Sequence, residues 1–221
     1  MFEQDIIEHN IQKHILHVLC YTEYARFSDM RPEKTDSNLY SYHLNKLISS
    51  NYVTKTDKGY TLTYKGLRYI EYTSSSMKIR KQPKITTAIL LKNIDGSILL
   101  TKRIKQPYIN YYGLPLGKIH SDKDGCILNA ARRELYEKTS ARYNKLNHVG
   151  DMYLKIHMDK ILISDLLIHV FSAICKQKMS VNEVSCWVDR KDFNRIRLIP
   201  GVKEIIKATE SQDYFFKEMS V

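Results

Sequence analysis

The chain has 221 residues and a mass of 26.0 kDa, which is enough for two small domains. Its net charge of +11 is uneven: residues 1–36 hold four Lys and Arg against seven Asp and Glu, whereas residues 37–84 hold nine against two. This asymmetry favours an anionic partner, such as nucleic acid or a phosphorylated ligand. No apolar run reaches the roughly 18 residues of a membrane span. The acidic first residues do not resemble a signal peptide, and the four cysteines form no CxxC pair. We therefore expect a cytoplasmic protein with free thiols and no membrane partner.

The first half of the N-terminal region has a helical pattern. Apolar residues recur at helical spacing over residues 4–23, which predicts a helix there. A short second helix is predicted over residues 27–30, and Pro32 is expected to end it. Ser37 is then the predicted N-cap of a helix that runs to about Ile48.

A hairpin and a closing helix follow. Residues 52–56 and 60–63 read as strands around the turn Asp57-Lys58-Gly59, and residues 64–72 as a helix. This succession resembles the small bacterial winged helix-turn-helix regulators over residues 5–72. The resemblance implies double-stranded DNA as a partner and a homodimer as the binding form. The candidate DNA-binding residues are Asn38, Ser41, Tyr42 and Asn45 on the helix, with Lys46, Lys55 and Lys58 for phosphates. A winged helix that binds protein instead of DNA is the alternative.

Residues 73–84 are rich in serine and positive charge, and they read as a basic linker. From residue 85 the pattern changes to strands. Predicted strands cover residues 86–91, 97–102, 148–154, 160–163, 166–176 and 186–188, and predicted helices cover residues 127–138 and 202–210.

One motif in this second region is specific. Gly117-Lys118 is followed, sixteen residues after the glycine, by the sequence Arg-Glu-Leu-Tyr-Glu-Lys at 133–138. The pattern resembles the Nudix box, a loop-helix-loop that places carboxylates around Mg²⁺ on a nucleoside diphosphate. The resemblance implies an α/β fold over residues 85–221, a Nudix-like α/β/α sandwich with a mixed sheet, beside a winged helix-turn-helix domain at 1–72.

The motif also departs from the family pattern. Positions 134, 137 and 138 share one helix face, where the family has three carboxylates. This chain keeps Glu134 and Glu137 as candidate catalytic and metal-binding residues, but it has Lys138 at the third position and Gly125 at the early Glu position. An ammonium group at the third position repels a metal ion.

The resemblance gives roles to further residues. Arg103 and Lys118 are candidate substrate-binding cations. Arg133 is expected to pair with a loop carboxylate, which Asp122 or Asp124 must supply. His120 or Asp124 could instead replace the missing metal ligand.

The roles of four aromatic residues also have two interpretations. Tyr108, Tyr111 and Tyr112 either stack on a base or cap an edge of the sheet, and Trp187 has the same two interpretations.

Two functions remain. The first is a DNA-binding transcription regulator whose Nudix-like domain binds a nucleotide-derived small molecule, of the nucleoside-diphosphate type, with little or no hydrolysis. The second is an active hydrolase of nucleoside diphosphate derivatives that uses Mg²⁺ or Mn²⁺ and carries an accessory winged helix. Lys138 and Gly125 favour the first.

Overall fold

The computed structural model describes residues 7–74, 82–210 and 213–221. The chain divides into two compact units, residues 1–81 and 82–221. None of the helices in the described ranges combines the length and apolar character needed to cross a bilayer.

The N-terminal unit consists of helices and one hairpin around its own core. Its elements are α1 (Asn10–Cys20), α2 (Ser37–Ser49), β1 (Val53–Thr56), β2 (Gly59–Leu62) and α3 (Tyr64–Glu71). The core forms where Ile15 and Leu16 of α1 meet Tyr40 and Leu44 of α2, all of them nearly inaccessible to solvent. Ala25 forms an isolated bridge to β2 and extends the hairpin by a third strand position. The arrangement is that of the predicted winged helix.

Three details of this unit differ from the sequence-based expectation. The first helix begins at Asn10 and not near residue 4, because His9 caps it with a ring nitrogen that accepts a hydrogen bond from the Ile11 amide. Residues 4–6 lie outside the described residues. Residues 27–30 form a hydrogen-bonded turn and not a helix. The N-cap of α2 is Asp36 and not Ser37, since the Asp36 carboxylate accepts the first free amides of the helix.

The C-terminal unit contains one mixed sheet with helices on both faces. Its strands are β3 (Lys84–Asn93), β4 (Ile98–Lys102), β5 (Tyr112–Gly113), β6 (Leu116–Lys118), β7 (Asn147–Met158), β8 (Ile161–Cys175), β9 (Ser185–Val188) and β10 (Phe215–Ser220). Its helices are α4 (Ile127–Thr139), α5 (Val202–Ala208) and a short 3-10 helix, Arg190–Arg195. The strand order is β10-β7-β8-β3-β4-β5, with β6 also paired to β3 and β9 to β4. The β3–β8 and β10–β7 pairs are parallel, and the other pairs are antiparallel.

The two faces of the sheet form two separate cores. Alternate residues of β3, β7 and β8 point to opposite faces. One set, including Met152, Leu154 and Ile168, packs under α5. The other set, including Ile89 and Phe171, packs under α4. This layering positions α4 on one side of the sheet and leaves room for a cleft on the other side.

Some expectations for this unit were wrong. The two strands predicted over 160–163 and 166–176 are one continuous strand, β8. Strand β10 was not predicted. Strand β3 begins at Lys84, the last residue of the predicted linker, of which residues 75–81 lie outside the described residues.

Candidate functional site

Helix α4 presents the charged residues of the motif at the edge of the sheet. Its buried side, with Ala131 and Leu135, packs against strands β3 and β4, and Ser140 caps its C-terminus in a left-handed conformation with φ of 60°. Gly117 of β6 lies directly under Glu134, where any side chain would overlap the Glu134 carboxylate. A side chain at position 117 would therefore force the Glu134 carboxylate to move.

Arg133 is the centre of a charged network. Its Nε and Nη2 atoms donate to the two carboxylate oxygens of Asp124 at 2.6 and 2.9 Å. Its Nη1 donates to Glu134 at 2.7 Å and to Glu137 at 3.1 Å, and Nη2 also donates to the Lys118 carbonyl at 2.9 Å. The hydrogen bonds to Asp124 raise the pKa of the Arg133 guanidinium well above its ordinary value. Arg133 thus holds the loop and the helix together.

Asp124 is the loop carboxylate that Arg133 was expected to need, which confirms that part of the prediction. It is only 5% exposed, and the His120 amide also donates to it at 2.7 Å. The hydrogen bond from Arg133 is the largest of several influences that lower the pKa of Asp124. Gly125, at the usual acidic position, is part of the exposed loop with φ of 67°. Both oxygens of Asp124 are engaged, so its carboxylate is a structural partner of Arg133 and not a spare metal ligand.

The two glutamates of α4 differ in environment. Glu134 is 4% exposed, and its Oε2 atom has no hydrogen-bond partner among the described residues. The nearest cation is the ammonium of Lys138, whose Nζ lies 3.9 Å from that oxygen, an ion pair beyond hydrogen-bond distance. The Glu137 side chain is 50% exposed.

The carboxylates of Glu134 and Glu137 fit a catalytic Mg²⁺ ion poorly. Mg²⁺ needs several oxygen ligands in near-octahedral geometry. Arg133 already holds one oxygen of each glutamate, and the free Glu134 oxygen faces the Lys138 ammonium.

A cleft of about 510 Å³ opens on the face of the sheet opposite to the body of α4. Its floor is apolar and comes from alternate residues of β7 and β8, among them Leu154, Ile156 and Ile168. Cationic side chains surround it: Lys102, Arg103, Lys105 and Lys138. Glu137 is the acidic residue in the lining. An apolar floor with a cationic rim suits a ligand that carries both a ring system and phosphates.

The structure places the predicted substrate-binding residues differently. Arg103 lines the cleft, and its Nε donates to the Lys105 carbonyl at 3.1 Å. Lys118 is exposed on β6 and does not line the cleft. Glu134 is buried and does not line the cleft either. Glu137 and Lys138 are the residues of α4 that reach the cleft.

The four aromatic residues singled out in the sequence also lie in different places. Tyr108 lines the cleft, where burial raises the pKa of its phenol and leaves its hydroxyl without a hydrogen-bond partner among the described residues. Tyr111 and Tyr112 pack against the core under α5. Trp187 packs on the α4 face and donates from Nε1 to the Met179 carbonyl at 3.1 Å. Tyr108 is thus the residue of this group that lines the cleft, and it is only 7% exposed as a member of the same core.

Sequence reasoning missed the apolar floor of the cleft. The alternation of apolar residues along β7 and β8 is visible in the sequence, but it does not reveal which face of the sheet carries the cleft. The i,i+4 helical spacing predicted that Lys138 lies beside Glu134, but it did not show that Lys138 also reaches the cleft.

The candidate DNA-binding residues lie on the surface of the N-terminal unit. Asn38, Tyr42 and Asn45 are exposed along one side of α2, four and three residues apart. Ser41 is half-buried and its Oγ donates to the Ser37 carbonyl at 2.8 Å.

The three candidate lysines are exposed as well. Lys46 is on α2, and Lys55 and Lys58 are on the hairpin. The ammonium groups of Lys55 and Lys58 lie 6.0 and 5.2 Å from the ring centres of Tyr60 and Tyr24. All three remain open to contact with phosphates.

The comparisons with known proteins agree with this architecture. Residues 82–209 match the NUDIX domain family, so the chain belongs to the Nudix family. Residues 5–72 match a family described as a domain of unknown function, DUF7347. None of the curated proteins matches the chain.

Two solved structures are similar in fold. The NUDIX domain of Shewanella oneidensis NrtR, complexed with ADP ribose, has a TM-score of 0.54 at 17% identity and covers 68% of this chain and 99% of its own. A MutT protein from Bacillus halodurans has a TM-score of 0.50 at 17% identity and covers 62% of this chain and 89% of its own. At this level of identity the likeness establishes the fold of the C-terminal unit.

Proposed function

We propose that the protein is a DNA-binding transcription regulator whose Nudix domain binds a nucleoside-diphosphate-type metabolite with little or no hydrolysis. The observation that carries the proposal is Lys138, a cation that lies beside Glu134 and also reaches the ligand cleft. The proposed organisation is a winged helix-turn-helix domain at 1–72, a basic linker at 73–84 and a Nudix domain at 85–221. The dimer and the cytoplasmic location are predictions from the sequence.

Binding is supported by the composition of the cleft. The side chains of Arg103, Lys105 and Lys138 offer positive charge for a diphosphate, and arginine can hold two phosphate oxygens at once. Tyr108 and the apolar floor offer a surface for a base or ribose. ADP ribose, the ligand in the NrtR complex, has this combination of groups and is the first compound to test.

Weak hydrolysis follows from the charges around α4. A metal ion in this family would draw on the carboxylates of Glu134 and Glu137, and bound Mg²⁺ stabilises the charge that develops on phosphate oxygens. Lys138 replaces one ligand with a cation and competes for the free oxygen of Glu134. Loss of one ligand removes metal affinity and transition-state stabilisation together, each worth several kcal/mol.

DNA binding is supported by the surface of α2 and the hairpin. Asn38 and Asn45 are seven residues apart, about 10 Å along one side of the helix, which suits contact with bases roughly three base pairs apart in a major groove. Helix α2 itself contains no acidic residue. Lys55 and Lys58 on the hairpin are positioned for phosphate contacts on the flanking backbone.

One observation favours the alternative, an active hydrolase with an accessory winged helix. Glu134 and Glu137 are both present, and a buried oxygen of Glu134 lacks a hydrogen-bond partner among the described residues. A metal ion that displaced Lys138 would find that oxygen available.

The deciding experiment measures binding and turnover on the same protein. The full chain is titrated calorimetrically with ADP ribose and other nucleoside diphosphate derivatives, and product formation is followed with Mg²⁺ or Mn²⁺. We expect binding without efficient turnover. Arg103→Met should weaken the binding, since Arg103 lines the cleft. Arg195→Met, an arginine with an 83% exposed side chain outside the cleft, is the matched control. Turnover at roughly 1 per second or faster, as in ordinary enzymes, would favour the hydrolase.

A regulator also requires coupling between ligand and DNA. A ligand shifts DNA affinity only by its differential affinity for the two states, which amounts to about 5- to 150-fold in typical cases. The affinity for operator DNA, selected from random duplexes, is measured with and without saturating ligand, and the affinity for ligand is measured with and without that DNA. The factor by which the ligand changes DNA affinity must equal the factor by which the DNA changes ligand affinity. A ligand that binds tightly and leaves DNA affinity unchanged would contradict the regulator mechanism, and failure to select any duplex at low salt would favour the protein-binding alternative.

A further inference from the structure

A second group of polar side chains lies on the sheet away from the cleft. His148 Nε2 is 2.9 Å and His169 Nδ1 is 2.7 Å from the same carboxylate oxygen of Asp151. One ligand atom from each of these three residues lies within 4.8 Å of the other two. The hydroxyl of Tyr214 donates to the other Asp151 oxygen at 2.5 Å. Two imidazoles, a carboxylate and a phenol therefore meet around one point.

An irregularity in β7 brings these side chains to one face. Residues three apart on a regular strand point to opposite faces. The pairing of β7 with β8 shifts between His148 and Gly150, so that Val149 forms a bulge. Because of this extra residue, His148 and Asp151 point the same way. His169 is the direct partner of Asp151 on β8.

The group is separate from both the cleft and the motif on α4. Asp151 and His169 alternate with residues such as Met152 and Ile168, which belong to the core on the cleft side. Thr87 of β3 pairs with His169 on one side and with Gly117 on the other. The group is thus two strand spacings, about 10 Å, from Gly117 on the α4 face of the sheet.

We propose that this group is a binding site for a divalent transition metal of the zinc type. The protein ligands are His148 Nε2, the Asp151 carboxylate and His169 Nδ1, and the fourth position is left to water, while the Tyr214 hydroxyl donates to the other Asp151 oxygen. Imidazole with carboxylate is a common ligand set for Zn²⁺, whereas Mg²⁺ prefers oxygen ligands.

The distances suit such an ion after a small movement. Metal bonds of about 2.0–2.2 Å in a tetrahedral arrangement separate the ligand atoms by roughly 3.3 Å. The nitrogen–oxygen distances of 2.9 and 2.7 Å need to open by about half an ångström. The His148 side chain is 36% exposed and offers a path of entry, while Asp151 and His169 are 21% and 17% exposed. The ion would connect β7 and β8, and the hydrogen bond between Asp151 and Tyr214 would link it to the residue that precedes β10.

The test is a zinc titration of the full chain. Cys20 and Cys126 are exposed thiols that could bind zinc, so the titration uses a protein with both changed to serine. We expect one tight zinc ion per chain. His169→Ala and Asp151→Asn should each lower zinc affinity at least tenfold, since even partners outside the ligand set typically cost 10- to 100-fold. His157→Ala is the matched control, because His157 is on the same strand as His148 and Asp151 but its ring contacts Ser220 instead.

Asp151→Asn separates a metal site from a purely hydrogen-bonded group. Asparagine keeps an acceptor oxygen for the imidazoles and loses the charge that holds a cation. In the protein that lacks Cys20 and Cys126, Co²⁺ in place of zinc should give the visible absorption of a four-coordinate site, and this signal should be lost when Asp151→Asn is added. The titration of that parent protein decides the matter even if a ligand variant fails to fold. No stoichiometric zinc in the parent protein, or equal affinity with and without Asp151→Asn, would overturn the proposal.

Discussion

Replacement of Asp124 by asparagine tests the role of the Arg133 network in stability. The change leaves the loop the same size but removes the charge that faces Arg133 at 2.6 and 2.9 Å. The new amide NH₂ group also points donors at the guanidinium. Loss of charge-assisted hydrogen bonds in a largely buried ion pair typically costs about 2–4 kcal/mol of the free energy of unfolding. Glu134 and Glu137 still contact Arg133, so we expect the lower part of that range.

The assay uses the single tryptophan of the chain. Trp187 packs in the core under α4, so its fluorescence reports unfolding of the Nudix unit. In urea, Asp124→Asn should unfold at lower concentration with the same slope, and on heating its midpoint should fall by on the order of 10 °C. Asp122→Asn, an exposed neighbour in the same loop, is the matched control and should change little.

The pH dependence gives a second check on the same pair. The pKa of Asp124 is lowered in the folded state, chiefly by the hydrogen bond from Arg133, so its ionisation stabilises the fold above the unfolded pKa of about 3.9. This stabilisation is lost as the pH falls through the lower pKa of the folded state. The difference between wild type and Asp124→Asn should therefore shrink below about pH 4. Equal urea midpoints for the two proteins at pH 7 would refute the stabilising role of the network.

Three further changes test other parts of the molecule. Lys138→Glu should increase Mg²⁺-dependent hydrolysis of ADP ribose at least tenfold by restoring a metal ligand, measured by product formation; unchanged turnover would mean that Lys138 is not what limits it. Charge reversal of Lys55 and Lys58 should weaken binding to all duplexes and reduce the salt dependence of log affinity by about two, and an unchanged salt slope would exclude these lysines as phosphate contacts. Gly150→Ala should lower the free energy of unfolding by about 1–3 kcal/mol in urea titrations, since a Cβ would overlap Phe215; a neutral effect would mean that β10 is not held tightly there.

The pairing of Arg133 with a loop carboxylate was predicted because the resemblance to the Nudix box implied it, and its candidate partners were local. Arg133 needed a carboxylate from the loop just before α4, which left few choices, and Asp124 supplies it. Helix α4 itself was predicted over 127–138 and ends one residue later. Motif spacing and helical periodicity both act over a few turns, and they are readable without knowledge of the tertiary fold.

Features that depend on distant parts of the chain were not readable in this way. Ser164-Asp165 interrupts the apolar pattern and suggested a break, but the ten-residue pairing of β3 with β8 starts at Leu166 and the hairpin with β7 supports the rest. The cleft floor depends on which face of the sheet α4 leaves open. Residues 27–30 have local helical character, but the tertiary structure holds them as a turn, where Phe27 accepts a hydrogen bond from the Tyr40 hydroxyl.

Strand β10 also determines which edge of the sheet faces solvent. It covers the twelve-residue strand β7, and backbone hydrogen bonds of Val221 with Lys155 and His157 extend the pairing. Without residues 213–221, β7 would present a long open row of amides and carbonyls, a surface that invites pairing with another chain. In the intact sheet the edge strand is short and carries Lys217 and Glu218, charges that oppose such association. A truncated Nudix unit that ends before residue 213 is therefore expected to aggregate, because it exposes the edge of β7 and also loses Phe215 from the core under α5.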